Sequence, residues 1–296
     1  MDKIIKRILI IFLLIILIFL LNYIKILILY KLNKDITSSY IINGMDDDYV
    51  PQGLAIYEDS KIILQTSYNA KGKVSKLYLT DMNTNSLIKE LDLYLPTNEP
   101  NTGHVSGLAL SQDKIWISNN YLLEEYNLDE ILTTTDSKIV AKKEYTLKNR
   151  GDFCFYKNGI LWIGDFYLYP IYRVPNNKPL LLGYDVRKDI DFDNPTYKIE
   201  IPALVQGMTM DDNNNFIFSR SYSNFLNSRI AIYENHTNSS KEYKLSKDSL
   251  IKKFTVPPMS EGLVFNNNKL YILFESGSSK YVHAFPKVKN LLSIDL

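Results

Sequence analysis

The feature that most constrains the fold is a repeated sequence motif. A polar residue, a glycine and an apolar run lead into a short turn, and a second apolar run with a polar end follows. The glycines of the four clearest copies are Gly53, Gly107, Gly207 and Gly262, and a fifth copy, slightly out of register, starts at Gly151. Five units of roughly 50 residues with short strands and turns predict an all-β fold, a five-bladed β-propeller with four-stranded blades.

Within each unit, the first strand follows the glycine, and an Asn- or Asp-rich turn leads to the second strand, because these residues tolerate positive φ. The remaining strands alternate apolar and polar residues, as a half-exposed outer strand should. The predicted third and fourth strands are 76–80 and 87–93 in unit one, and 228–233 and 241–245 in unit four.

The strand assignment stays open in two parts of the chain. The outer strands of unit three are either 171–174 with 180–184, or the same pattern shifted onward to 197–201. Unit five offers only 280–285 and 291–294 for its outer strands. We therefore expect residues 39–42 to pair into the last blade and to join the two ends of the domain, because closure removes free sheet edges.

A long apolar segment precedes the propeller. From residue 8 to residue 30 a helix would span roughly 34 Å, which is enough to cross a bilayer. No Ala-x-Ala-like site follows it, so we favour an uncleaved signal anchor over a cleaved signal peptide. The predicted organisation is a cytoplasmic segment 1–7, a transmembrane signal anchor 8–30, a linker 31–38 and a propeller 39–296 outside the cytoplasm, in a single-pass protein of the cell membrane.

Charge and cysteine usage limit the partners. Residues 1–34 hold six of the 34 basic residues but one of the 33 acidic ones, so the propeller itself is mildly acidic. A domain without a basic stripe argues against nucleic acid as a partner. The only cysteine, Cys154, cannot form an intramolecular disulfide, and its apolar neighbours indicate a buried core residue. We expect a monomer.

Propeller geometry brings the residues that precede each first strand to one face, around the central channel. Oxygen-bearing side chains that include two carboxylates suit a hard cation, so the sequence predicts a metal site that would hold calcium. The alternative is a ring of hydrogen bonds to trapped water, which needs the same residue types. The predicted metal ligands are Gln52, Ser106, Asp152, Gln206 and Glu261.

The same face offers candidate catalytic residues. Glu261 could pair with Glu275 or Asp165, with one pKa raised by its neighbour so that this group acts as the acid. Arg220 could hold a substrate carboxylate or phosphate, or it could neutralise one of these carboxylates. The sequence has no Gly-x-Ser-x-Gly nucleophile elbow.

Aromatic and polar residues that follow the second strands predict a ligand-binding rim. Aromatic rings at a propeller mouth can stack on sugars or peptides. The alternative is that they are ordinary strand residues, since the chain has 22 tyrosines. The candidates are Tyr68, Asn119, Phe166 and Tyr222, with His104 close by.

Several motifs resemble an uncharacterised family of exported bacterial β-propellers. They are the segments 50–55, 103–109, 161–166, 205–209, 257–262 and 273–277. More distantly, the blade repeat around Gln52, Gly53 and Leu54 looks like that of the plant-type glutaminyl cyclases, which are five-bladed with a metal at the centre. The catalytic residues of that family have no match here, so its activity is not implied. The calcium-dependent nucleotidases are similar only in their ring chemistry.

Together these features predict a membrane-anchored, extracytoplasmic propeller that binds a small ligand or a cell-envelope component, or acts as a scaffold, with a metal ion at the centre. The alternative is a metal-dependent hydrolase or cyclotransferase that acts at the channel mouth.

Overall fold

The computed structural model describes residues 3–32, 36–187 and 189–296. A long helix, α1 (Lys3–Leu32), precedes five small sheets arranged in a ring. The innermost strands of neighbouring sheets contact one another all the way round this ring. The predicted five-bladed β-propeller with one N-terminal apolar helix is therefore confirmed.

The strands follow the predicted repeat, and the blades are numbered from the unit of Gly53. The first strand, β1 (Ile36–Ile41), precedes blade 1. Blade 1 contains β2 (Tyr49–Tyr57), β3 (Ile62–Asn69), β4 (Lys76–Asp81) and β5 (Ser86–Tyr94). The unit of Gly107 forms β6 (Gly107–Leu110), β7 (Lys114–Asn119), β8 (Leu122–Asn127), α2 (Leu128–Thr133), β9 (Lys138–Val140) and β10 (Lys143–Thr146), of which β6, β7, β8 and β10 make up blade 2.

The other three blades repeat this order. Blade 3 contains β11 (Phe153–Lys157), β12 (Ile160–Gly164), β13 (Leu180–Asp185) and β14 (Tyr197–Glu200). The unit of Gly207 forms β15 (Val205–Met210), β16 (Phe216–Arg220), β17 (Ser228–Tyr233), β18 (Glu242–Lys244) and β19 (Leu250–Val256), of which β15, β16, β17 and β19 make up blade 4. Blade 5 contains β20 (Ser260–Asn266), β21 (Lys269–Phe274) and β22 (Asn290–Asp295).

The ring closes as expected. β1 pairs antiparallel with β22 and becomes the outermost strand of blade 5, with Ile41 opposite Asn290 and Ile36 opposite Ile294. The strand begins at Ile36, inside the stretch expected as a linker, because the pairing continues to the far end of β22. Residues 280–285 form a loop instead of a strand.

The repeated glycines have a packing reason. A Cβ atom built on Gly107 would lie 2.3 Å from the backbone nitrogen of Cys154 in the next blade, and one on Gly207 would lie 2.6 Å from the carbonyl oxygen of Glu261. The first strands of neighbouring blades therefore approach too closely for any side chain. In blade 3, Phe153 occupies the glycine position, and its ring lies over Gly164 on the paired strand. This exchange explains the copy that is out of register.

The predicted fourth strand of blade 4 was wrong. Residues 241–245 are not the fourth strand of blade 4: β18 pairs in parallel with β14 of blade 3, and β19 takes the fourth place. β9 likewise crosses from blade 2 to pair in parallel with β5. These additions give two blades a fifth strand and cover sheet edges that would otherwise be exposed. In unit three the shifted parse is the observed one, since residues 171–174 lie in a loop and β13 and β14 form the outer strands.

Each junction between neighbouring blades contains its own buried apolar cluster. Leu64 and Ile117 pack between blades 1 and 2, Trp116 and Leu182 between blades 2 and 3, and Leu54 and Leu273 between blades 5 and 1. This packing positions the first and second strands rigidly around the axis.

Helix α1 covers the predicted anchor and ends two residues after it, at Leu32. Its stretch Lys3–Leu21 is long and apolar enough to cross a membrane, and none of it is buried against the protein. Such a helix near the N-terminus is typical of a membrane anchor or a signal peptide.

Candidate functional site

A cavity of about 820 Å³ opens on the propeller axis, at the face where the first strands begin and the second strands end. We call this opening the mouth. It brings together the five predicted ring residues, the five predicted ligand residues and Glu275. The predicted residues that line it are Gln52, Tyr68, His104, Ser106, Asn119, Asp152, Phe166, Gln206, Tyr222, Glu261 and Glu275.

Two carboxyl groups meet at the bottom of the mouth. Glu261 lies at a bulge near the start of β20, and Glu275 directly follows β21, so the hairpin brings them side by side. The two carboxyl groups share a hydrogen bond. Glu275 Oε2 also accepts hydrogen bonds from the Tyr281 hydroxyl at 2.7 Å and from Gln52 Nε2 at 3.4 Å. The pair is therefore held in one geometry by groups from two blades.

This pair retains a proton near neutral pH. Burial raises the pKa of Glu275 to about 7, although its hydrogen bonds and the positive charge of Lys280 act in the opposite direction. Burial and the adjacent charge of Glu275 raise the pKa of Glu261 well above its ordinary value. Two carboxylates this close cannot both ionise readily. We therefore assign Glu261 as the protonated donor and Glu275 as the acceptor.

An arginine outside the predicted set of site residues lies beside the third ring residue. Arg150 donates through Nε to Asp152 Oδ2 at 3.0 Å and through Nη2 to Oδ1 at 3.0 Å. Asp152 Oδ2 also accepts the backbone N–H of Phe166 at 2.8 Å. Burial nevertheless raises the pKa of Asp152. The only sequence signal for Arg150 was its position two residues before the ring residue.

A third group consists of His104, Tyr68 and Lys280. The His104 ring stacks on Tyr68 with the ring centroids 4.2 Å apart, and its Nδ1 lies 3.0 Å from Ser106 Oγ. Lys280 donates to the Tyr68 hydroxyl. Desolvation within the mouth and the nearby charges of Lys280 and Arg150 lower the pKa of His104 to about 4, so the imidazole is neutral at neutral pH.

Aromatic side chains form one wall of the mouth. The rings of Phe166 and Tyr172 meet edge to face with centroids 5.4 Å apart, and Tyr222 lies 6.2 Å from Phe166. Arg150 lies over the Tyr172 ring, 5.8 Å from its centroid. Tyr172, Lys280 and Tyr281 lie in two loops that the sequence suggested as strands, so their position in the mouth had no local signal.

The structure places two candidate catalytic residues outside the mouth. Asp165 Oδ1 accepts the backbone N–H of Arg150 at 2.8 Å, and its Oδ2 accepts that of Leu180 at 3.1 Å. Burial raises its pKa to about 6. Arg220 donates through Nε to the carbonyl of Ala203 at 2.9 Å. Both side chains therefore stabilise the loops around the mouth and do not line it.

The predicted metal ligands surround the axis, but their carboxylates already have partners. Arg150 holds Asp152, and Glu261 shares a hydrogen bond with Glu275. Within residues 3–32, 36–187 and 189–296, no group of three or more His, Cys, Asp or Glu side chains is placed to hold a metal ion. This donor set fits calcium poorly, because calcium sites usually combine several carboxylates. Calcium therefore stays a prediction.

Comparison with known proteins gives the fold. No family model and no curated protein matches the sequence. Among solved structures, the chain is similar to glutaminyl cyclase from Myxococcus xanthus, with a TM-score of 0.51, 8% identity and coverage of 87% of this chain and 97% of that one. It is also similar to the PQQ-bound aldose sugar dehydrogenase from Streptomyces coelicolor, with a TM-score of 0.47, 14% identity and coverage of 82% and 78%. At 8% identity, the likeness to the Myxococcus xanthus protein shows a shared fold.

Proposed function

We propose that this protein is a membrane-anchored propeller outside the cytoplasm whose mouth binds a small, neutral, hydroxyl-rich ligand such as a saccharide of the cell envelope. The anchor is the apolar stretch Lys3–Leu21 of α1. The location outside the cytoplasm rests on the resemblance to exported propellers, since three basic residues lie on each side of the apolar run. A monomer without a nucleic-acid partner remains part of this proposal.

The observation that carries the proposal is the pairing of an aromatic wall with a hydrogen-bonding wall in one cavity. Phe166, Tyr172 and Tyr222 offer flat apolar faces on which a sugar ring can stack. The Glu261–Glu275 pair on the axis can both donate and accept hydrogen bonds. Hydroxyl groups suit such a pair, because each hydroxyl is both a donor and an acceptor.

The charges of the mouth favour a neutral ligand. Arg150 is compensated by Asp152 at 3.0 Å. The positive charge of Lys280 acts on Glu275, and His104 is neutral. A strongly charged ligand would therefore find no unbalanced opposite charge, while a neutral one would lose little on desolvation.

A glycan array probed with the full-length protein in detergent tests this function. We expect Tyr222→Ala and Glu275→Gln to weaken binding of the retained glycans by about tenfold or more, because each removes one wall of the site. Asp59→Asn is the matched control, since Asp59 is exposed in the β2–β3 turn, away from the mouth. Failure of the wild type to bind any glycan, or equal binding by all variants, would contradict the proposal.

The same proton-sharing pair supports a second candidate, a hydrolase or cyclotransferase. Glu275 would accept a proton from the attacking group, and Glu261 would donate its proton to the leaving group. The fold shared with a glutaminyl cyclase makes release of ammonia from a peptide with N-terminal glutamine the first reaction to test. In an enzyme, Glu275→Gln should abolish turnover and leave substrate affinity nearly intact, whereas in a binding module it should weaken affinity.

A further inference from the structure

Three loops at the mouth present exposed apolar side chains. They are residues 165–179, 221–227 and 275–289, which join the second and third strands of blades 3, 4 and 5. Leu226 is 64% exposed and Val282 is 73% exposed. Contiguous exposed apolar side chains of this kind mark an interaction surface. We call this surface the apolar rim, and its members are Tyr169, Ile171, Tyr172, Tyr222, Phe225, Leu226, Val282 and Phe285.

Helix α1 contacts the apolar rim at the end of its membrane-spanning stretch. Phe19 meets Phe225 edge to face with the ring centroids 6.0 Å apart. Tyr23 stacks on Phe285 with the centroids 4.7 Å apart. The apolar stretch that could cross a membrane ends at Leu21, between these two contacts. The rim is therefore level with the point at which the helix would leave the bilayer.

The path of the chain shows on which side of the propeller the bilayer would lie. β1 starts at Ile36 opposite Ile294, at the end of blade 5 away from the mouth. The preceding helix, by contrast, reaches the mouth at Tyr23 and Phe19. Because α1 is one continuous helix, its residues before Phe19 extend past the mouth for about 24 Å. That length approaches the hydrocarbon thickness of a bilayer.

The exposed charges of these loops complement an anionic lipid surface. Arg173, Lys280 and Lys287 are exposed, whereas the acidic residues of the same loops are not: Asp165 is buried, and Glu275 is half-buried within the mouth. Acidic residues 46–48 lie elsewhere on this face, between blades 5 and 1, where Asp46 pairs with Lys289 and Asp48 with Lys71. Basic residues beside a membrane anchor are attracted to anionic headgroups.

We propose that the apolar rim docks on the same bilayer that holds α1, so that the mouth faces the lipid headgroups and receives its ligand from the membrane surface. Tyrosines and phenylalanines at the rim then lie at the depth where aromatic side chains favour the membrane interface. The proposal rests on the membrane-anchoring part of the proposed function. It adds the orientation of the propeller and the side from which the ligand enters.

Fluorescence quenching in liposomes tests the docking. The full-length protein carrying Leu226→Cys is labelled with a fluorophore and reconstituted in phosphatidylcholine with phosphatidylglycerol, and the quencher is a lipid with a nitroxide on its headgroup.

Ile88→Cys on β5 and Asp59→Cys at the opposite face are matched controls, since Ile88 is a 45% exposed apolar residue far from the mouth. The unsubstituted protein controls for labelling of the buried Cys154. We expect quenching at position 226 to exceed that at positions 88 and 59 several-fold, and equal quenching at all three would overturn the docking.

A second label separates docking from anchoring. Leu13→Cys in α1 reports insertion through quenching by nitroxides attached to the acyl chains. Quenching at position 13 without quenching at position 226 refutes the docking and leaves the anchor intact, whereas no quenching at position 13 refutes both. Substituting Leu226→Asp with Val282→Asp should lower headgroup quenching of a label at Ile171→Cys, and Ile88→Asp should leave it unchanged. Circular dichroism of each variant confirms that the fold is retained.

Discussion

The protein contains two kinds of buried carboxyl site, and their difference shows which of them is open to a ligand. Glu124 of β8 is buried and Glu275 at the mouth is half-buried, and desolvation raises the pKa of each to about 7. Glu124 accepts two hydrogen bonds from Asn101 Nδ2, at 2.8 and 2.7 Å, and one from the Tyr126 hydroxyl at 2.9 Å. It is inaccessible to solvent and does not line the mouth.

The Glu261–Glu275 pair, by contrast, opens into a cavity of about 820 Å³. The Glu124 network lies next to that cavity, because Asn119, whose side chain interacts with the Glu124 carboxyl, lines the mouth and accepts the backbone N–H of His104 at 3.0 Å. A raised pKa therefore does not by itself identify a functional carboxyl group. The mouth pair differs from the Glu124 network in two respects: it opens into a cavity, and it has hydrogen-bonding positions that the protein does not fill.

The largest effect that we expect is on stability, from removal of Glu124. Glu124→Ala leaves the amide of Asn101 and the hydroxyl of Tyr126 buried without a partner, which should lower the free energy of unfolding by about 3 kcal/mol. Glu275→Ala should cost only about 1 kcal/mol, because Tyr281 and Gln52 can bind water from the cavity. Denaturant unfolding checks both values.

Glu144→Ala controls for this pair of variants, since Glu144 is exposed on β10 directly opposite Glu124. It should change the free energy of unfolding by less than about 0.5 kcal/mol. Equal losses in Glu124→Ala and Glu275→Ala would show that the two sites do not differ as proposed.

A smaller effect should appear in the pH dependence of stability. The folded-state pKa of Glu124 and of Glu275 is about 7 against an ordinary value of 4.5, so the folded protein binds these protons more tightly than the unfolded chain. Their contribution is fully present below pH 4.5 and is lost as the pH rises through about 7. The lowered pKa of His104 acts in the opposite sense, with its contribution lost as the pH falls from 6.5 through about 4.

The melting temperature should therefore fall between about pH 5 and about pH 8. Glu124→Gln and Glu275→Gln should each reduce that fall, because each removes one titrating group. Of the two variants, Glu275→Gln alone should alter the pH dependence of ligand affinity, because Glu275 lines the mouth and Glu124 does not. If the melting temperature of both variants fell as far as that of the wild type, the assigned protonation would be contradicted. If Glu124→Gln altered the pH dependence of ligand affinity, the distinction between the two sites would be removed.

The smallest expected effect is that of calcium. Near pH 6 we expect millimolar calcium to raise the melting temperature by less than about two degrees, because the mouth carboxyl groups retain a shared proton and Asp152 is held by Arg150. Thermal unfolding with and without calcium, together with metal analysis of the purified protein, provides the measurement. A larger stabilisation that disappears in Glu261→Gln with Asp152→Asn would establish the calcium site predicted from the sequence.

Much of the fold could be predicted because the repeat reflects a local requirement. Gly107 and Gly207 mark first strands that approach the next blade too closely for a Cβ atom. The spacing of the repeated glycines therefore gives the number of blades. The outer strands were less predictable. Residues 242–244 could pair with either of two blades, and only the exposed edge of β14 determines their partner.

The residues of the mouth could be predicted where they adjoin the inner strands, because strand geometry determines the face that they reach. Arg150, Lys280 and Tyr281 were missed, and Asp165 and Arg220 were expected at the mouth but bind loop backbone instead. Loop side chains have no periodicity that predicts their direction. Their positions depend on neighbouring loops that lie far away in the chain.

The sequence by itself determined the number of blades, the apolar helix before them and the face at which the polar ring gathers, because glycine spacing and strand alternation are local properties. Only the tertiary structure decided which of these groups interact. Gln52 reaches Glu275 across the closure of the ring, and Phe225 meets Phe19 of the helix, although more than 200 residues separate the members of each pair. Such contacts follow from the closed ring, which no local pattern encodes.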